Sequence, residues 1–153
     1  MTRKINRIYV HCSASTFGTI EWIDAIHRKE RGWLKIGYHF LITNGKAAKN
    51  ATYNPDEDGK VYPGRKEEDV GAHVKGDNAT SLGICLIGVD EFTDKQLAAL
   101  EDLLALLCVK YSIPPSEIKG HREYWEDRHQ APEKECPGFA VSDLRKRISE
   151  RLT

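Results

Sequence analysis

The sequence predicts an α/β fold: one domain with a central mixed β-sheet flanked by helices. Three observations carry this. Short runs such as "KINRIYVHC" and "GYHFLIT" alternate along the chain with segments of helical periodicity. "SLGICLIGV" is almost wholly apolar, the pattern of a strand covered on both faces. From Thr93 to Ser112 a capping signal is followed by a long apolar stripe. The resulting order, β-α-β-β-β-α-α, suits a sheet packed on helices. A chain of 153 residues fits one domain that can bury a core without staples.

In chain order, "KINRIYVHC" reads as a strand through Val10. "TIEWIDAIHRKERGW" places Trp22 or Ile23, then Ile26, at helical spacing, with Thr19 as cap and Gly32 as stop. "GYHFLIT" is a second strand, and Asn44-Gly45 signals a hairpin turn. Lys46 to Lys60 is polar and reads as a hairpin excursion or surface loop. "KVYPGR" is the return strand, broken at Pro63-Gly64, and "SLGICLIGV" is the central strand. In the long helix, Thr93 and Gln96 form a capping box, and Leu97, Leu100, Leu104, Leu107, Cys108 and Tyr111 form the inward stripe. "IPPSEIKGH" closes it. Arg122 to Glu135 is charged and irregular, and a last helix runs from about Val141 to Leu152, with Leu144, Ile148 and Leu152 facing inward.

Composition narrows the function. Basic and acidic residues balance at 23 each, so no overall charge favours nucleic acid or an anionic membrane. The four cysteines, Cys12, Cys85, Cys108 and Cys136, form no C-x-x-C pair, which argues against a zinc finger or a thioredoxin motif. Cys85 and Cys108 lie inside apolar runs and read as small buried hydrophobes. The start, "MTRKINR", is polar and the apolar runs are short, so neither a signal peptide nor a membrane span is expected. Folding in a reducing cytoplasm follows, with any action elsewhere depending on release by another agent. A monomer is expected.

The residues with chemistry to offer are dispersed. A catalytic zinc site needs three protein ligands and one open position, and these need not be close in sequence. His11 follows a strand end, His121 follows the turn "IKG", and Cys136 precedes Pro137-Gly138, where a turn can aim a thiolate inward. Spacing does not single them out. His11 also reads as a hydrogen-bonded strand-end histidine, His121 as a surface turn residue and Cys136 as core.

Taken in order, "IYVHCSAS", "GWLKIGYHFLI", "VGAHVKG", "SLGICLIG", "GHRE" and "KECPGF" resemble the N-acetylmuramoyl-L-alanine amidases of the peptidoglycan recognition protein fold, and most of all the small phage lysozyme-amidases. The likeness runs from about Ile8 to the last helix. It implies that residues 1–153 are a single zinc amidase domain, a type 2 amidase-like mixed sheet flanked by helices. It also implies zinc ligands at His11, His121 and Cys136, a site tyrosine at Tyr38, a site lysine at Lys134, and a groove position for His73. Cys12 would alternate to the opposite face of the strand and reads as core packing. His39 reads as structural or as a partner to a ligand. His27, near a helix end where a cation suits the dipole, is assigned no function.

The implied set is chemically coherent. Two neutral imidazoles and a thiolate leave Zn²⁺ with one net positive charge, and water at its open position falls to a pKa of roughly 7. Lys134 would then stabilise a developing oxyanion and Tyr38 would hydrogen-bond or relay a proton. The expected reaction is hydrolysis of the amide between N-acetylmuramic acid and L-alanine in peptidoglycan, by a phage endolysin acting on the wall after release. Two alternatives stand beside it: a peptidoglycan-binding module without activity, and a phage protein that also regulates a viral RNA polymerase. The segment between His121 and Cys136 departs from the pattern by its length. It holds Glu123, Asp127 and His129, each able to bind metal, and Tyr124 and Trp125, whose flat faces suit a groove rim. Lys46 to Lys60 also looks long and is read as a surface loop or a groove-shaping specificity element.

Overall fold

Five strands form the sheet at the centre of the computed structural model: β1 (Arg7–Cys12), β2 (Phe40–Asn44), β3 (Asp58–Pro63), β4 (Ser81–Leu86) and β5 (Ile118–Gly120). Among the described residues, four α-helices accompany them: α1 (Ile20–Arg31), α2 (Asp94–Tyr111), the short α3 (Glu123–Glu126) and α4 (Ser142–Arg151). The structure describes residues 3–33, 35–132 and 134–153. The strand order is β3-β2-β4-β1-β5, with only β2 and β3 antiparallel, so the sheet is mixed as expected.

β4 is the middle strand, and every residue in it is buried. Its alternation divides the core. Leu82, Ile84 and Leu86 join Ile8, Val10 and Ile118 against Leu100, Leu104 and Leu107 of α2 and Leu144 and Ile148 of α4. Cys85 faces the other way, with Leu41, Ile36, Ile87 and Ile23 of α1. Each fully buried Leu or Ile contributes about 1.5–3 kcal/mol relative to exposure.

The helix boundaries follow their signals. Thr19 accepts a hydrogen bond from Trp22 N–H, and Gly32 closes α1 in the left-handed region at φ 68°. At α2, Thr93 and Gln96 make the reciprocal capping box, and the Gln96 side chain donates to the carbonyls of Ile42 and Ile87. That buried amide ties the helix start to two neighbouring strands.

Several expectations change. β1 continues through His11 and Cys12 instead of stopping at Val10, because both residues pair in register with Cys85 and Leu86. "IKG" is not a turn: it is β5, a short strand parallel to β1, which the sequence order omits. Gly45 turns the chain at φ 87°, but β3 begins only at Asp58, so β2 and β3 are joined by a long connection and not a tight hairpin. Leu152 lies outside α4 and is exposed. No helix among the described residues is long and apolar enough to cross a membrane.

Candidate active site

The parallel arrangement of β1 and β5 positions the site. In open α/β sheets the carboxyl ends of strands line the crevice where ligands bind. His11 is the penultimate residue of β1. His121 directly follows β5 and donates its N–H to the Val10 carbonyl at 3.2 Å, which sets the two imidazoles side by side, ring centroids 4.7 Å apart. The chain returns past this edge at Cys136. Its carbonyl accepts from Arg122 N–H at 2.9 Å, and its Sγ accepts from Cys12 N–H at 3.0 Å. One ligand atom from each of His11, His121 and Cys136 lies within 4.8 Å of the others. The structure brings together the three residues that spacing could not select.

This donor set fits a divalent cation. Burial, then the neighbouring histidines, hold the His11 ring far below the usual imidazole range. Burial and the Lys134 charge bring His121 to about 4. Both rings are therefore neutral and can ligate at physiological pH. Cys12 and Cys136 share a hydrogen bond. It lowers Cys12 to about 7 and, together with burial, raises Cys136. A coordinated cation would remove the Cys136 proton. Cys12, expected in the core, belongs to neither core cluster. It is half-buried at the rim, because β1 ends there and the chain bearing Cys136 crosses beside it.

The cluster opens into a cavity of about 540 Å³, bordered by Trp33, Tyr38, Ala72 and Lys134 among others. A second cavity of about 1020 Å³ shares Trp33, His73, His121 and Lys134 with it and reaches Tyr124, Trp125 and Lys75. Together they form one groove with the three donors at its floor. Tyr38 sits 5.1 Å from His11, ring to ring, just before β2. Burial, with smaller contributions from Cys85 and Cys136, raises its hydroxyl far above the usual range, so it remains a donor. Lys134 is exposed at the groove wall.

His73 is mostly buried but lines both cavities. Its Nδ1 lies 3.0 Å from His11 Nε2 and its Nε2 lies 3.4 Å from Ser81 Oγ, so both ring nitrogens face protein groups. His39 does not reach a ligand: its Nδ1 accepts from Gly83 N–H at 3.0 Å, and its Nε2 meets the Asp69 carbonyl. His27 is no helix-end cation. It is buried, brought down to about 4 mainly by that burial, and its Nδ1 accepts from Gly37 N–H at 2.9 Å. It lies 5.5 Å from the Tyr38 ring, a role with no local signal in the sequence.

In the long segment after His121, the other possible ligands are used elsewhere. Glu123 accepts from Gly120 N–H and from Arg145, Asp127 pairs with Lys119, and His129 is exposed outside the cluster. Trp125 stacks on His121, 4.9 Å between centroids at 23°, and Tyr124 lines the second cavity, as expected of a rim. Residues of the Lys46 to Lys60 loop border a different, smaller cavity near Thr19, away from the donors.

Fold and site together define a class: a mixed α/β domain that carries a three-donor site able to hold a metal ion at the carboxyl ends of its parallel strands. A family model described as N-acetylmuramoyl-L-alanine amidase matches residues 1–139. The endolysin of Klebsiella phage KP32 is 35% identical over 147 residues, covering 90% of this chain and 83% of that protein. The endolysin of Escherichia phage T7 is also 35% identical, over 142 residues, covering 86% and 80%. A solved structure of the N-acetylmuramoyl-L-alanine amidase LysC from Clostridium intestinale URNW superimposes with a TM-score of 0.76 at 31% identity, covering 95% of this chain and 86% of that one. The chain belongs to the N-acetylmuramoyl-L-alanine amidase family and is an enzyme of that kind.

Proposed function

We propose that this chain hydrolyses the amide between N-acetylmuramic acid and L-alanine of peptidoglycan with Zn²⁺ held by His11, His121 and Cys136, and that it does so as a phage endolysin. The observation that carries the reading is the convergence of those three donor atoms within 4.8 Å at the floor of an open groove. Two nitrogens and one thiolate sulfur suit zinc better than a hard cation, which prefers oxygen. When bound, the ion supplies Lewis acidity and lowers the pKa of water at its open position.

The chain's own groups supply the rest. The groove holds the stem peptide and sugar along its two joined cavities and brings the scissile amide over the floor. The Lys134 ammonium, at the wall beside the donors, stabilises negative charge as it develops on the carbonyl oxygen. The Tyr38 hydroxyl, kept protonated, donates a hydrogen bond at the reacting end of the groove. Half-buried Trp125 and Tyr124 offer apolar faces along the second cavity.

Digestion of purified peptidoglycan, with and without a chelator and after zinc is restored, tests the reading by mass analysis of the products. Stem peptides with a free L-alanine amino end, lost on chelation and regained with zinc, are expected. Disaccharide released with its peptide attached, or cutting that survives complete metal removal, contradicts it.

A further inference from the structure

His73 lies outside the donor cluster, yet its hydrogen bonds bear on the donor chemistry. It reaches His11 through Nδ1, at 3.0 Å from His11 Nε2. At its other side the Ser81 hydroxyl lies 3.4 Å from His73 Nε2 and 2.6 Å from the Asp77 carbonyl. The protons along this chain can be assigned from its far end. A carbonyl only accepts, so the single Ser81 hydroxyl hydrogen points at Asp77. Ser81 Oγ can then only accept from His73, which places the His73 hydrogen on Nε2. His73 is buried and its two ring nitrogens meet only His11 and Ser81, with no carboxylate to balance a cation, so the ring carries one hydrogen, and its Nδ1 is bare and accepts. His11 Nε2 is therefore the donor of the 3.0 Å bond. A neutral imidazole has one hydrogen, and His11 Nδ1 is left as a bare lone pair.

We propose that His73, held by Ser81 and Asp77, is a positioning residue that fixes the tautomer and ring angle of His11 so that Nδ1 faces the metal. The proposal rests on the zinc reading above and deepens it. A metal-ligating histidine generally donates its other N–H to a fixed acceptor, which raises ligand basicity and orients the ring. Here that acceptor is another imidazole, and the assignment runs through one serine hydroxyl to a main-chain carbonyl.

The surroundings are built around this arrangement. A Cβ at Gly83 would lie 2.6 Å from the His73 ring, and one at Gly71 would lie 2.8 Å from it, so glycine at both positions makes room for the imidazole. The Asn78 side chain accepts from the backbone N–H groups of both His73 and Val74, at 2.9 and 2.8 Å. Asp77, whose carbonyl ends the chain, has its carboxylate fixed by Tyr9 at 2.6 Å and Arg7 at 2.8 Å, both from β1. Tyr9 and Arg7 share the strand with His11, so the strand that carries the ligand also anchors the end of the relay that orients it.

The test uses zinc affinity, measured by competition with a chromophoric chelator, and ¹⁵N NMR of the histidine rings. H73L removes the acceptor and should weaken zinc binding roughly 10- to 100-fold. H73N places its amide oxygen near the position of Nδ1 and should recover most of that loss. Equal loss in H73L and H73N, or wild-type affinity in H73L, overturns the proposal. In the wild-type metal-free protein, the spectra should show the hydrogen on Nε2 of both His73 and His11. Nδ1–H on either ring overturns the proposal even where the variants do not fold. Wild-type protein that shows these tautomers yet takes up no zinc would sink the zinc reading and leave the relay standing.

Discussion

His11 and Cys136 reach the same point from opposite kinds of structure. His11 sits on a strand paired on both sides, 1% exposed, with its second nitrogen hydrogen-bonded to His73. Cys136 sits on a segment with no strand or helix, held by the Arg122 N–H to its carbonyl and the Cys12 N–H to its sulfur. Lys134, two residues before it, is exposed. The rigid half fixes geometry. The loop half brings the thiol and the ammonium, the groups whose charge the proposed reaction uses most. A site that must admit a polymer gains from this division, because loops tolerate rearrangement that a central strand does not.

Substitutions at the two halves should separate these contributions. The largest effect is expected for Cys136→Ser, which should abolish wall lysis and reduce bound metal far below one equivalent in elemental analysis. Full metal content with normal lysis would remove the loop from the site. Lys134→Ala should keep the metal and lower kcat roughly 100- to 1,000-fold, the usual loss for one group that stabilises an oxyanion. Steady-state kinetics on a soluble muramoyl peptide measures this, and an unchanged kcat rejects the role. Tyr38→Phe removes one hydrogen bond and should cost about tenfold in kcat. The smallest effect is expected at the rim: Tyr124→Ala should raise KM severalfold and leave kcat and metal content unchanged.

The rigid half also carries a pH signature. His39, beneath β4, is brought to about 4, mainly by burial, against an unfolded value near 6.5. Between these values the unfolded chain binds the extra proton. Stability is therefore fully present above about pH 6.5 and falls as pH drops toward 4, by up to about 3 kcal/mol for this group. Urea unfolding of the chelator-treated protein at pH 7 and pH 4.5 should show a loss at least that large, because buried His27 and His121 are lowered in the same sense, and His39→Gln should reduce the loss by about this one group's share.

Much of the rigid half was legible in sequence. The apolar run of β4, the caps of α1 at Thr19 and Gly32, and the Thr93–Gln96 box are local signals that the tertiary structure kept. β5 was not legible, because three residues ending in glycine carry no periodicity, and the pairing with β1 makes the strand. Tertiary context also overrode local readings at His27, where helix-end position suggested a cation and burial made a neutral acceptor. The site residues came from matched motifs. Their convergence depends on β1 and β5 lying side by side, a contact between positions far apart in the chain that no local pattern records. The Ser81–His73–His11 relay was invisible for the same reason.

The measurement closest to the central claim is cobalt(II) substitution followed by absorption spectroscopy. A thiolate ligand gives a sulfur-to-cobalt charge-transfer band in the near ultraviolet, so the wild-type protein should show that band rising to saturation at one equivalent, and Cys136→Ser should lack it while Cys12→Ser keeps it. A band that persists in Cys136→Ser, or disappears in Cys12→Ser instead, would contradict the assignment of Cys136 as the third ligand and the mechanism that depends on it.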